Sequence, residues 1–261
     1  MKIYERLCLN LKKSGFRPIG VGDYLANSAN MGEKVAIIRH DVDRLPLQAL
    51  KMAEIENDLG IKSTYYFRSI SKVFKKDIIK SVKNLGHEIG YHYEVLANND
   101  GNKEKALAEF QINLEMFRQF ADIRTICMHG SPLSPWRDFD IWKKYDFKDF
   151  GIIGEAFLSI DYNNVMYFTD TGRKWNNQSS NVRDIVSSNI ESISVNSTRN
   201  LIENLVGLDM NISINTHPHR WHDSYLRWQW ELIFQNIKNI GKKFIKKLVN
   251  SSFYPLDTQL T

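Results

Sequence analysis

The stretch that decides the reading is VAIIRHDVDR, Val35 to Arg44. Val35 to Ile38 form an unbroken apolar run, the signature of a strand entering a core. The run stops abruptly in an arginine, a histidine and two aspartates. Charge at that density is costly inside a core unless it is paired or solvated. The strand is therefore expected to leave the core at a site. In extended backbone, residues two apart project to one side. Asp41 and Asp43 are expected to face that site together, with His40 facing away.

Working outward, PLQALKMAEIENDLG (Pro46 to Gly60) carries proline near its start and glycine at its end, the punctuation of a helix. STYYFR (Ser63 to Arg68) is rich in β-formers and reads as a strand. KKDIIKSVKNLG reads as a helix ending at Gly86, and HEIGYH as a short strand. NKEKALAEFQINLEMFRQFAD places Ala106, Phe110, Leu114 and Phe117 on one helical stripe. TICM is the next strand. Strand and helix alternating at this rhythm mean βα units with parallel strands, an α/β fold. Sites in such folds lie at the carboxyl ends of the strands. The reactive residues cluster there. VAIIR ends in HDVD, HEIGY in HYE, TICM in HGSP, and MNISINT (Met210 to Thr216) in HPHRW. Four strand ends each deliver a histidine, and two add carboxylates.

The 261 residues suffice for one large core, and a single domain over 1–261 is expected. Its net charge of +5 is compatible with an anionic partner without pointing to one. The one basic cluster that stands out lies toward the end of the chain and no nucleic-acid motif is present, so nucleic-acid binding is not expected. Cys8 and Cys127 make no disulfide framework. Arg6, Lys12 and Lys13 interrupt the N-terminal region, so no signal peptide is expected and a cytoplasmic location is the simplest inference.

Carboxylate and imidazole converging from separate strands suit a borderline divalent cation such as zinc. His92 and Glu94, like Asp41 and Asp43, share a side by the two-residue rule. A metal there polarises a carbonyl and lowers the pKa of a water, while a remaining carboxylate serves as base and a histidine as acid. Each piece alone has a plainer reading. HDVD can be a strand end tied down by Asp-to-backbone hydrogen bonds. His87 is expected to be structural or exposed, and His219 and His222 to sit on a rim. The coincidence of four strand ends favours a site.

IIRHDVD followed by LGHEIGYH resembles the polysaccharide deacetylases, carbohydrate esterase family 4 with its NodB-homology domain, over about 35–221. The resemblance implies a distorted (β/α) barrel with about seven parallel strands and metal-dependent removal of an acyl group from a sugar amide. It implies Asp41 as general base, Asp43 and His92 as metal ligands, and His217 as the acid that protonates the leaving amine. Asp170 in YFTDTGRKW would tune that histidine. The sequence also departs from the family pattern. Val42 separates two aspartates that the family keeps adjacent, so their roles can be exchanged. The position of the second motif's later histidine is Leu96, which cannot bind a metal. Glu94 or His129 could replace it. HGSP stands where the family carries the arginine that holds the base, so Arg39 or Arg173 is a candidate for that task.

The pattern also resembles a divergent branch associated with O-antigen and other surface-polysaccharide gene clusters. That implies a sugar, nucleotide-sugar or lipid-linked glycan as substrate. Arg39, Arg173, Trp175 and Trp221 are the candidate substrate-binding residues. Trp221, Trp228 and Trp230 can stack on sugar rings or pack helix against barrel. Over about 224–250 an apolar stripe beside Lys238, Lys242, Lys243, Lys246 and Lys247 reads as a basic amphipathic helix. It can lie on the inner membrane surface or pack on the barrel with its lysines in water. The rival functional reading is an inactive barrel acting as a glycan-binding or scaffold protein, and Leu96 argues for it.

Overall fold

Strand β2 (Val35–Val42) is the strand read from VAIIRHDV, and it stays buried along its whole length. It therefore does not leave the core at Arg39; Arg39, His40 and Asp41 are strand residues, each with a partner. The computed structural model describes residues 1–27, 33–131, 134–171, 175, 184–191, 193 and 195–222. Arg173, Trp228, Trp230 and the expected basic helix over 224–250 lie outside the described residues.

Strands β3 (Thr64–Arg68) and β8 (Asn211–Thr216) flank β2. β4 (Glu88–Tyr93), β5 (Thr125–Met128) and β6 (Gly154–Glu155) continue one side, and β7 (Val165–Thr169) the other. The order is β6-β5-β4-β3-β2-β8-β7, seven strands paired in parallel throughout. A short β1 (Arg17–Ile19) pairs with the start of β2 ahead of β3. The sheet curls into a half-barrel, in agreement with the distorted barrel of parallel strands expected from the sequence.

Helix α1 (Lys2–Lys13) precedes β1, and α2 (Val21–Asn27), α3 (Pro46–Asp58), α4 (Lys76–Asn84), α5 (Val95–Asn98), α6 (Lys103–Arg118) and α7 (Thr198–Leu205) connect successive strands. Pro46 opens α3, where its missing N–H costs nothing. Asn102 caps α6 by accepting the Lys105 backbone N–H at 2.9 Å. The stripe Ala106, Phe110, Leu114 and Phe117 is the buried face of α6, as its spacing predicts.

Strand alternation sorts the core into two faces. Ile38, Phe67, Tyr91, Phe168 and Ile214 join the larger cluster on the helix side. Each buried phenylalanine there is worth about 1.5–3 kcal/mol relative to an exposed one. Ile37, Tyr66, Cys127 and Val165 belong to a smaller cluster on the inner face. Gly90 makes that interior possible: a Cβ there would meet the Tyr66 ring at 2.3 Å. Cross-strand register then levels the polar residues. Arg39 sits opposite Asn215, Asn215 opposite Thr169, Arg68 opposite His92, and His92 opposite Cys127.

Candidate functional site

The site forms at the carboxyl edge of the sheet. Asp43 follows the end of β2, with its backbone N–H on Asp41 O at 3.0 Å. His92 comes from β4. His129 follows β5, held by its N–H on Tyr93 O at 2.7 Å. Asp43 Oδ1 lies 3.3 Å from His92 Nε2 and 3.5 Å from His129 Nε2. The ligand-type atoms of these three residues all lie within 4.8 Å of one another, a spacing that suits a single metal ion.

The residues behind the two imidazoles set their tautomers. His92 Nδ1 donates to the Cys127 carbonyl at 2.9 Å, and His129 Nδ1 faces Glu94 Oε1 at 2.9 Å. With Nδ1 carrying the proton, each neutral ring presents a bare Nε2 to Asp43. Glu94 thus stands outside the group of three, orienting His129 while accepting from Arg68 and Ser131. Leu96 is buried in the helix-side core, its N–H on Asp138 Oδ1 at 2.7 Å.

Two observations test whether these residues fit a cation. Asp43 Oδ1 is buried and has no hydrogen-bond partner, an acceptor between two lone pairs. Burial opposes ionisation of Asp43, yet His129, His92 and His217 hold its carboxyl well below the usual range. Burial likewise opposes a charge on His92, but Asp41 and Asp43 push its pKa up. The field at this point favours positive charge, and one carboxylate with two imidazoles is a donor set that suits a divalent metal ion. A second triplet, Asp41, His92 and Cys127, is equally close-set. Its centre is taken by Arg39, whose Nη1 lies 2.7 Å from Cys127 Sγ and 2.8 Å from Asp41 Oδ1.

Asp41 sits deeper than Asp43. Arg39 Nη1 donates to both of its oxygens (2.8 and 3.1 Å), and Asn215 Nδ2 donates to Oδ2 at 2.9 Å. Arg39 comes from the same strand two residues earlier, so one strand face supplies both partners. The guanidinium is completely buried, under the Phe157 ring at 4.6 Å. Arg39, a candidate substrate contact from the sequence, faces Asp41, Cys127 and Tyr167.

On the other flank, His217 Nδ1 donates to Asp170 Oδ1 at 2.7 Å, and its Nε2 lies 3.8 Å from Asp43 Oδ2. Burial opposes charge on Asp170, but Arg220 and His217 hold its carboxyl well below the usual range. Arg220 donates to Oδ1 at 2.9 Å and Trp221 Nε1 to Oδ2 at 2.8 Å. Trp221 is therefore a buried donor, packed edge-on against Tyr4. Trp175 is likewise buried, its Nε1 on Thr198 Oγ1 at 3.2 Å. Both were candidate substrate contacts in the sequence, and the structure places both in the larger core cluster.

His40 faces the helix side, as alternation predicts. Its Nε2 meets Glu56 Oε1 at 2.9 Å and its Nδ1 meets Thr216 Oγ1 at 2.6 Å. Glu56 also accepts from Tyr65 (2.6 Å), Ser63 (2.7 Å) and Tyr4. His87 is structural, between Ser63 and the Ala53 carbonyl. His219 is buried at 3% exposure rather than on a rim. Glu56, Arg220, Asn215 and Asp184 were not singled out in the sequence. Arg220 and Asn215 stand beside the last strand-end motif and could have been read from it.

No protein-family model and no curated protein matches the chain. Among solved structures, a carbohydrate esterase of family 4 from Streptococcus mutans is 14% identical, with 87% of each chain covered and a TM-score of 0.47. A family 4 carbohydrate esterase from Bacillus anthracis is 14% identical, covering 87% of this chain and 82% of that one, with a TM-score of 0.41. One from Bacillus subtilis is 13% identical, covering 81% and 86%, with a TM-score of 0.37. Likeness at this level assigns neither family nor activity. Among the described residues no helix is long and apolar enough to cross a membrane.

Proposed function

We propose that the protein is a metal-dependent N-deacylase that removes a small acyl group, typically acetyl, from an amide on a sugar. The observation that carries this reading is one constellation: Asp43, His92 and His129 converge on a point flanked by Asp41 and by the His217–Asp170 pair. Asp43, His92 and His129 would hold the ion, with zinc the best match to one oxygen and two nitrogens. When bound, such an ion polarises the acyl carbonyl and acidifies a water.

The chain's own residues supply the rest. Asp41 accepts the proton of the attacking water, its carboxylate fixed by Arg39 and Asn215. An amide nitrogen is a poor leaving group until it is protonated. His217 Nε2 is the donor on the opposite flank, with Nδ1 anchored by Asp170. Arg220 and Trp221 keep Asp170 ionised and in place. The polar, buried surroundings are preorganised, which is where electrostatic catalysis gains most. A nucleotide-sugar or carrier-linked glycan of surface-polysaccharide assembly extends the reading to a substrate, supported by the sequence resemblance.

The rival reading, a barrel that binds glycans without reacting, rested on Leu96. His129 weakens it, since it brings a second imidazole to Asp43 from the next strand. The test is zinc content by elemental mass spectrometry, together with acetate release from N-acetylglucosamine oligomers and UDP-N-acetylglucosamine. The expected result is close to one zinc per chain, lost in His92→Ala, and acetate release abolished by a chelator. A protein that takes up no divalent ion even from excess zinc would refute the proposal.

A further inference from the structure

Asp184 belongs to no strand-end motif. It enters from the segment between β7 and α7 and lies beside the polar level formed by Arg39, Asn215 and Thr169. Its Oδ2 accepts from Thr169 Oγ1 at 2.6 Å and from Thr171 Oγ1, and lies 3.5 Å from Asn215 Nδ2. Its Oδ1 accepts from the Tyr167 hydroxyl and lies 3.8 Å from Arg39 Nη2. The Tyr167 oxygen in turn accepts from Arg39 Nη2 at 2.9 Å. The two nitrogen donors to Asp41 are thus themselves held by Asp184: Arg39 both directly and through Tyr167, and Asn215 directly.

This arrangement restricts both partners. A guanidinium is a rigid planar fork. With Nη1 on Asp41 and Nη2 on Tyr167 and Asp184, Arg39 cannot turn without losing one end. The Asn215 amide is turned so that its Nδ2 faces two carboxylates, while its Oδ1 is buried with no partner. A flip would set that oxygen against Asp41 and Asp184, so the two acceptors select the orientation.

We propose that Asp184 is a positioning residue for Asp41: it locks Arg39 and Asn215 in the orientation that presents the Asp41 carboxylate to the attacking water. The inference rests on the reading of Asp41 as the base in the deacylase proposed above. A buried polar network in which every partner is constrained acts as a unit. Loosening it leaves Asp41 in place but free to tilt, and small misplacements at a reacting centre are expensive.

The test uses zinc-loaded protein and 4-nitrophenyl acetate. Its nitrophenolate leaves without protonation, so the assay reports the water-activating side alone. Asp184→Asn conserves volume and is the first variant; Asp184→Ala is the second. Both are expected to lower kcat roughly 10- to 100-fold, with KM and zinc content as in wild type. If the wild type is active and both Asp184 variants keep kcat within twofold, the proposal is overturned. A second readout does not depend on catalysis. The Nη resonances of Arg39, assigned with Arg39→Lys, should be separate in 1H–15N spectra of the wild type and merge in Asp184→Asn. Retention of separate resonances overturns the tether even if no hydrolysis is found. Merged resonances with a wild type inert on both ester and amide support the tether and refute the deacylase reading instead.

Discussion

Glu94→Ala separates a ligand from a residue that orients one. Glu94 Oε1 lies 2.9 Å from His129 Nδ1, on the far side of the ring from Asp43. Burial opposes its ionisation, but hydrogen bonding and charge from His129, with Ser131 and Arg68, hold the carboxyl at about 2. It is therefore an anion throughout the range in which a histidine can bind a metal. Removing it frees His129 to carry its proton on Nε2, the wrong nitrogen, and leaves Arg68 beside the ring without its anion. Removing a partner of this kind lowers metal affinity roughly 10- to 100-fold, or about 1.4–2.8 kcal/mol. Glu94→Gln keeps an acceptor for Nδ1 and should lie at the lower end. The assay is zinc titration by calorimetry against a competing chelator, with His129→Ala alongside. His129→Ala should lose more than either Glu94 variant. A Glu94→Ala protein that loses as much as His129→Ala would make Glu94 a ligand. One that binds zinc as the wild type does would remove its orienting role.

Asp170→Asn should lower the rate on an N-acetylated sugar roughly 100-fold or more, as expected when a general acid loses its anchor. Its zinc content and its rate on 4-nitrophenyl acetate should be unchanged; a fall in the ester rate would contradict the assignment. Glu56→Gln should destabilise the fold by about 3 kcal/mol at pH 7, the scale for a buried charged group losing its hydrogen bonds, as read by urea unfolding. Burial opposes charge on Glu56, yet His40, His87 and Tyr4 hold its carboxyl at about 2, below the unfolded value near 4.5. Its stabilisation is therefore complete above about pH 4.5 and fades as pH falls toward 2. The variant's melting temperature should fall less steeply than the wild type's across that window, and parallel curves would refute the reasoning. Gly90→Ala should cost about 1–3 kcal/mol by overpacking, because its Cβ meets the Tyr66 ring at 2.3 Å. An unchanged melting temperature would show that the ring can move aside.

Much of this molecule is local in origin. The apolar run Val35 to Ile38, the proline before α3 and the α6 stripe each specify their element through short-range geometry, and alternation along β2 sends His40 and Asp41 to opposite faces. Because parallel strands place their carboxyl ends at one edge, the motifs HDVD, HYE, HGSP and HPHRW could be recognised as neighbours before any distance was known. Periodicity says which way a side chain leaves its strand, but not what it meets. Only the curl of the sheet put His129 against Asp43 and Glu94 behind His129. Only the tertiary structure paired Arg39 with Asp41 and Trp221 with Asp170. Asp184 arrives on a chain segment with neither period nor strand end to mark it, and its place beside Asp41 depends on loop path alone. The elements and their reactive ends are written in neighbouring residues. The partners of those ends are chosen by contacts between residues far apart in the chain, and these exist only once the sheet has closed around them.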